Sequence, residues 1–164
     1  MATYAKDTEV SVEKSQMELE RTLERFGATG FMRGWDKQAN VAVLVFEIRS
    51  RRVKLTVPMP TLEDVSRRKD GSSRPIQHRK GALDQATKQR WRAFNLIVKA
   101  KLEAIESGIS TIEDEFMANI LLPSGQTIGQ WMQPQIEAAY RTGHMPPLLS
   151  PATVNHDEGE IVEG

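Results

Sequence analysis

"NVAVLVFEIRSRRVKLTVP", Asn40 to Pro58, decides the fold class. Its first half is rich in β-branched residues, the composition of a strand. Its second half alternates. Val53, Leu55 and Val57 fall on one side and Lys54 and Thr56 on the other, the two-residue period of a half-buried strand. Ser50–Arg52 leaves room for a tight connection only, so the two runs pair antiparallel. Upstream, "ATGFMRGW" is a short run flanked by glycine, and "DKQAN" joins it to the first strand of the pair. Three strands joined this way predict an antiparallel meander, one face packed on a helix and the other partly wet.

Helical periodicity brackets the meander. Val12, Leu19, Leu23 and Phe26 share one face, with Glu18, Arg21 and Arg25 opposite and Gly27 as a stop, which predicts a helix from about Glu13 to Phe26. Beyond the strands, Trp91, Phe94, Val98, Leu102 and Ile105 recur at spacings of three and four inside "ALDQATKQRWRAFNLIVKAKLEAIESG", the strongest helix, ended by Gly108. Ser110 with Glu113 has capping-box spacing and opens a short acidic helix to about Met117. "NILLPSGQTIG" reads as a strand, a turn and a return. Thr127 with Gln130 repeats the capping pattern ahead of a helix to about Arg141, with Pro134 as a kink point. Trp131, Met132 and Ile136 read as core there.

The expected fold is therefore α+β: an N-terminal helix, a three-stranded antiparallel meander, a long central helix and a C-terminal helical region. Residues 1–149 are expected to form one domain carrying a long loop at about 61–81, and 150–164 a mobile tail. From Ser150 onward that tail has four acids and no Lys or Arg. "HMPPLL" before it is expected to cover a hydrophobic groove or to contact a partner.

Composition narrows the function. Zero cysteines exclude disulfides, thiolate catalysis and cysteine-ligated metals, and suit a reducing cytoplasm. No apolar run reaches the roughly 20 residues that span a bilayer, and the first ten residues do not resemble a signal peptide. His78, His144 and His156 are scattered without metal-ligand spacing. Glu113, Asp114 and Glu115 are adjacent and two of them could share a divalent ion, but acids in a first helical turn answer to the helix dipole. No phosphate-binding glycine loop is present, and Ser124 sits in a turn context. These features point away from an enzyme; no cofactor, metal or catalytic residue is expected.

One stretch stands out against a neutral chain. The protein has 22 basic and 22 acidic residues, yet Ser66–Arg92 holds nine Lys or Arg against two acids, Asp70 and Asp84, a local charge of +7 (nine minus two). Arg67, Arg68, Lys69, Arg74, Arg79, Lys80, Lys88 and Arg92 are the candidate phosphate contacts, since each phosphate neutralised by Lys or Arg releases counterions. Trp91 lies beside them and could stack on a base, although its spacing to Phe94 and Val98 is a burial pattern. The expected partner is nucleic acid, single-stranded or structured rather than a specific duplex site, because no recognition-helix signature is present. The alternative is a protein–protein module that presents the basic loop to an acidic host surface, inhibiting a host enzyme or defence system. The acidic tail could fold over the basic loop or serve as a docking peptide. An exposed sheet edge would permit a homo-oligomer.

"VSVEKSQMELERTLERFGATGF", "KQRWRAFNLIVKAKLEAIESGISTIEDEFMANILLPSGQTIGQW" and "RTGHMPPLL" resemble segments of small, uncharacterised proteins encoded by bacteriophages and prophages. The resemblance implies a protein of the bacterial cytoplasm. It carries no catalytic or binding residue with it, and the basic loop lies between the resembling segments.

Overall fold

A computed structural model describes residues 11–145. Its element order is α1 (Val12–Arg25), β1 (Gly30–Asp36), β2 (Val41–Ile48), β3 (Arg51–Pro58), α2 (Ile76–Glu106), α3 (Ile112–Phe116) and α4 (Ile128–Thr142). This is the expected α+β architecture. "HMPPLL" beyond Met145 and the acidic tail lie outside the described residues.

The meander forms as its alternation requires. Strand order is β1-β2-β3, antiparallel throughout, with Phe31 opposite Phe46 and Phe46 opposite Val53. A two-residue turn, Arg49 and Ser50, joins β2 to β3, both at positive φ (46° and 60°). Such a turn matches the strand twist but favours Asn and Gly, so a side chain at each position is strained. The outer edge of β3 is met by a bridge from Ile120, while β1 is the other edge of the sheet.

One sheet face is dry. Ala42, Leu44, Phe46, Ile48, Val53, Leu55 and Val57 are buried against Leu19 and Leu23 of α1, Trp91, Phe94, Val98, Leu102 and Ile105 of α2, and Ile112 and Phe116 of α3. Phe46 and Phe116 meet edge to face with centroids 5.6 Å apart. Most of the cover comes from α2, against which α1 packs, rather than from α1 alone.

The start of α2 differs from the sequence expectation. The helix begins at Ile76, so the predicted loop at about 61–81 ends at Pro75, the N-cap. Proline's fixed φ suits a helix entry. The periodicity was silent here for a physical reason. Residues 76–90 contain no buried side chain, because a helix of 31 residues, about 46 Å long, outreaches strands of eight residues, about 27 Å long. Ala82, Leu83 and residues 85–89 are half-buried but none is fully buried, so no apolar stripe marks the segment.

Smaller elements also shift. The α3 cap is Thr111, whose hydroxyl accepts from the Asp114 amide at 3.1 Å, one residue later than the Ser110 and Glu113 pattern suggested. "NILLPSGQTIG" is a minimal hairpin rather than full strands, with single bridges Val53–Ile120 and Leu121–Thr127 and a turn closed from the Gly125 amide to the Leu122 carbonyl. The helix α4 runs through Pro134 without a break in assignment, and no residue in it is fully buried; Trp131 and Ile136, expected in the core, are exposed. The described residues divide into two compact units, 11–129 and 130–145.

Candidate nucleic-acid interface

The segment between β3 and α2 is built from two capped turns. Met59 and Pro60 are buried and anchor its start. Asp64 then accepts from the Thr61 amide at 2.7 Å and the Thr61 hydroxyl at 2.8 Å, and the Asp64 amide donates back to that hydroxyl. These bonds, the amide first, hold the Asp64 carboxyl below its ordinary pKa, with Arg90 adding a smaller attraction.

Ser66–Arg74 is a hairpin in miniature. The Arg74 amide donates to the Ser66 carbonyl (2.7 Å), the Arg68 amide to the Ser72 carbonyl (2.8 Å), and the Gly71 amide closes a turn on the Arg68 carbonyl (3.0 Å). Gly71 has φ +84°, which the position demands and which glycine supplies without strain. This is a three-residue hairpin loop with glycine in the left-handed site. Asp70 accepts from the Ser72 hydroxyl (2.6 Å) and amide (2.9 Å), which lowers its pKa, the hydroxyl having the larger share. "KDG", Lys69–Gly71, carries this signal, but no alternating apolar run flanks it, so a period-based reading passes over it.

Two arginines fasten the hairpin to α2. Arg74 Nε donates to the Val65 carbonyl and Arg79 Nε to the Arg74 carbonyl, each at 3.0 Å. Both acceptors are neutral, so the bonds fix position without cancelling charge. Arg67 and Arg79 line one open concavity with Ser66, Ser73 and Gly71; Glu63 is its single acid. Arg68 and Lys69 stand exposed at the tip, and Lys80 is exposed in the first turns of α2. Among the described residues, none of Arg67, Arg68, Lys69, Arg74, Arg79 and Lys80 has a carboxylate in ion-pair distance.

The other two candidates are placed elsewhere. Lys88 follows Arg79 by nine residues, about two and a half turns, so it faces away from it. It lies toward α1 and contributes to the lowered pKa of Glu13, after that residue's own amide and the Ser11 hydroxyl. Arg92 is half-buried, its Nη1 2.9 Å from Glu18 Oε2 on α1. The eight therefore divide into six around the hairpin and α2 entry and two on the flank facing α1. Trp91 is only 4% exposed and belongs to the core, stacked edge-on against Phe94.

The acidic trio does not act together. Glu113 pairs with Arg51 (3.0 Å), Asp114 accepts from the Thr111 hydroxyl (2.7 Å), and Glu115 pairs with Lys101 (3.0 Å), whose hydrogen bond leads the lowering of the Glu115 pKa. No group of three or more metal-ligating side chains occurs among the described residues, and no described helix is long and apolar enough to cross a membrane. Comparison with protein-family models, curated proteins and solved structures gives no match for this chain.

Proposed function

We propose that this protein binds nucleic acid through the basic hairpin and the overhanging entry of α2, without catalysing a reaction. One observation carries the reading: six cations fall within 14 residues, Arg67 to Lys80, and none has a carboxylate partner among the described residues, so unpaired positive charge is concentrated on one short segment. Uncompensated charge on a fastened scaffold suits a polyanion. Phosphates neutralised there release counterions, and this term dominates sequence-independent affinity. The hairpin fixes the backbone, and Arg74 and Arg79 are held by carbonyls, so less ordering entropy opposes the contact than an unstructured loop would cost. Lys88 and Arg92 have a lesser part, Arg92 because it must first leave Glu18. A phage-encoded accessory protein acting in a bacterial cytoplasm is the setting that the sequence resemblance suggests.

A binding titration across salt concentration tests this. With about six phosphate contacts the logarithm of affinity falls with the logarithm of salt at a slope near −4 to −5, the range for single strands and duplexes. Absence of binding to DNA and RNA at low salt sinks the proposal. A pull-down after nuclease treatment that retains one stoichiometric acidic protein would replace it with the alternative, a module docking on a host protein.

A further inference from the structure

We propose that the cavity between α1 and β1 is a seat for one unpaired nucleobase, with Trp35 as its stacking platform. This rests on the nucleic-acid reading above and adds the strand state that the protein selects. The cavity measures about 550 Å³ and is lined by Gln16 and Glu20 of α1, Phe31, Arg33 and Trp35 of β1, and the buried Trp91 and Ala42.

The location follows from the sheet. Trp35 stands opposite Ala42, which stands opposite Val57, so its side chain is on the same face as the core. The core helices nevertheless leave it uncovered, at 57% exposure, although β1 is in register with β2 along its whole length. An indole on the core-facing side that the core leaves more than half exposed is a large apolar surface open to a ligand.

The surroundings specify the occupant. Arg33 donates from Nη1 to the Gln16 Oε1, and its guanidinium lies 5.9 Å from the Phe31 ring centroid, so it is held from two sides. A guanidinium has five N–H donors, and most remain after one bond to Gln16. Glu20 supplies acceptors at the same cavity. An aliphatic ligand would desolvate Arg33 and Glu20 without returning hydrogen bonds. A lone anion would meet Glu20 and leave Trp35 unused. A nucleobase has a flat π-face for the indole and an edge with both donors and acceptors for the carboxylate and the guanidinium. Its face and edge are free only when it is unpaired. Arg33 is the cation that lines the seat.

The test compares a single-stranded oligonucleotide of about 12 nucleotides, within the span of known single-strand binders, with its duplex. The wild type, Trp35→Ala and Trp35→Phe are titrated with each. Trp35→Ala should weaken single-strand binding about tenfold and leave duplex binding unchanged, while Trp35→Phe keeps most of the single-strand affinity. Thermal melts of both variants should match the wild type. Unchanged single-strand affinity in Trp35→Ala, or equal loss with both ligands, overturns the base seat while the phosphate interface stands. No binding of either ligand by the wild type removes both.

Discussion

The rim of the core and the basic hairpin use the same residue types to opposite ends. Around the core, a cation links elements: Arg25 to Glu103 and Arg92 to Glu18 join α1 with α2, Arg51 to Glu113 joins β3 with α3, and Lys101 to Glu115 joins α2 with α3. Most of these pairs are substantially exposed, so each contributes at most about 1 kcal/mol. They trim a fold already set by Phe46, Phe116 and the buried helix stripes. On the hairpin, shape comes from backbone hydrogen bonds and from arginine Nε groups on neutral carbonyls. Its charge is left over. An ion pair spends a cation's field locally; a carbonyl contact positions the cation and leaves the field available to a partner.

That contrast is open to attack, and the largest effect should come from the hairpin. Replacing Arg67, Arg68, Lys69 and Lys80 together by Gln removes four cations that have no side-chain bond among the described residues. Nucleic-acid affinity at low salt should fall at least about a hundredfold and the salt slope flatten by about three units, with the thermal melt unchanged. A large loss of stability instead would mean that these cations hold the fold.

The reverse experiment is Phe46→Ala. Phe46 is fully buried and touches Phe116, so its truncation should reduce stability by about 3–5 kcal/mol in a denaturant titration. The folded fraction should still bind with wild-type affinity and salt slope. Changed affinity would tie the interface to the core more closely than the two-region picture allows.

The smallest effect concerns acid. Asp64 and Asp70 clamp the two turns, and their folded-state pKa values lie below the ordinary 3.8. A lowered value means that the clamp's stabilisation is complete above the unfolded pKa and is lost as pH falls through the lower folded one. Amide exchange at Ser72 and Thr61, followed by NMR, should stay protected down to about pH 4 and open below it. Protection lost well above that range would show that the turns are held by other groups.

How much of this could be read without coordinates differs by element. The meander was legible because Val53, Leu55 and Val57 must face one way, and a strand with a two-residue period has few other registers. The core stripe of α2 was legible from Trp91 onward for the same reason. Its entry, Ile76–Gly81, was not, since no residue there is buried and no apolar stripe marks it. The hairpin at Ser66–Arg74 was missed because a nine-residue polar turn has no hydrophobic period, and only Asp70 and Gly71 mark it. Trp35 was hidden inside an ordinary strand sequence, and nothing local distinguishes a covered indole from a bare one.

The sequence by itself determined the fold class, the main core faces and the excess of positive charge between Ser66 and Arg92. These depend on periodicity and composition, which are properties of neighbours along the chain. Only the tertiary structure decided which cations are already paired, which two turn toward α1, and that Trp35 is exposed. Those outcomes depend on which element happens to lie opposite, and a contact such as Arg92 with Glu18, 74 residues apart, leaves no trace in local spacing.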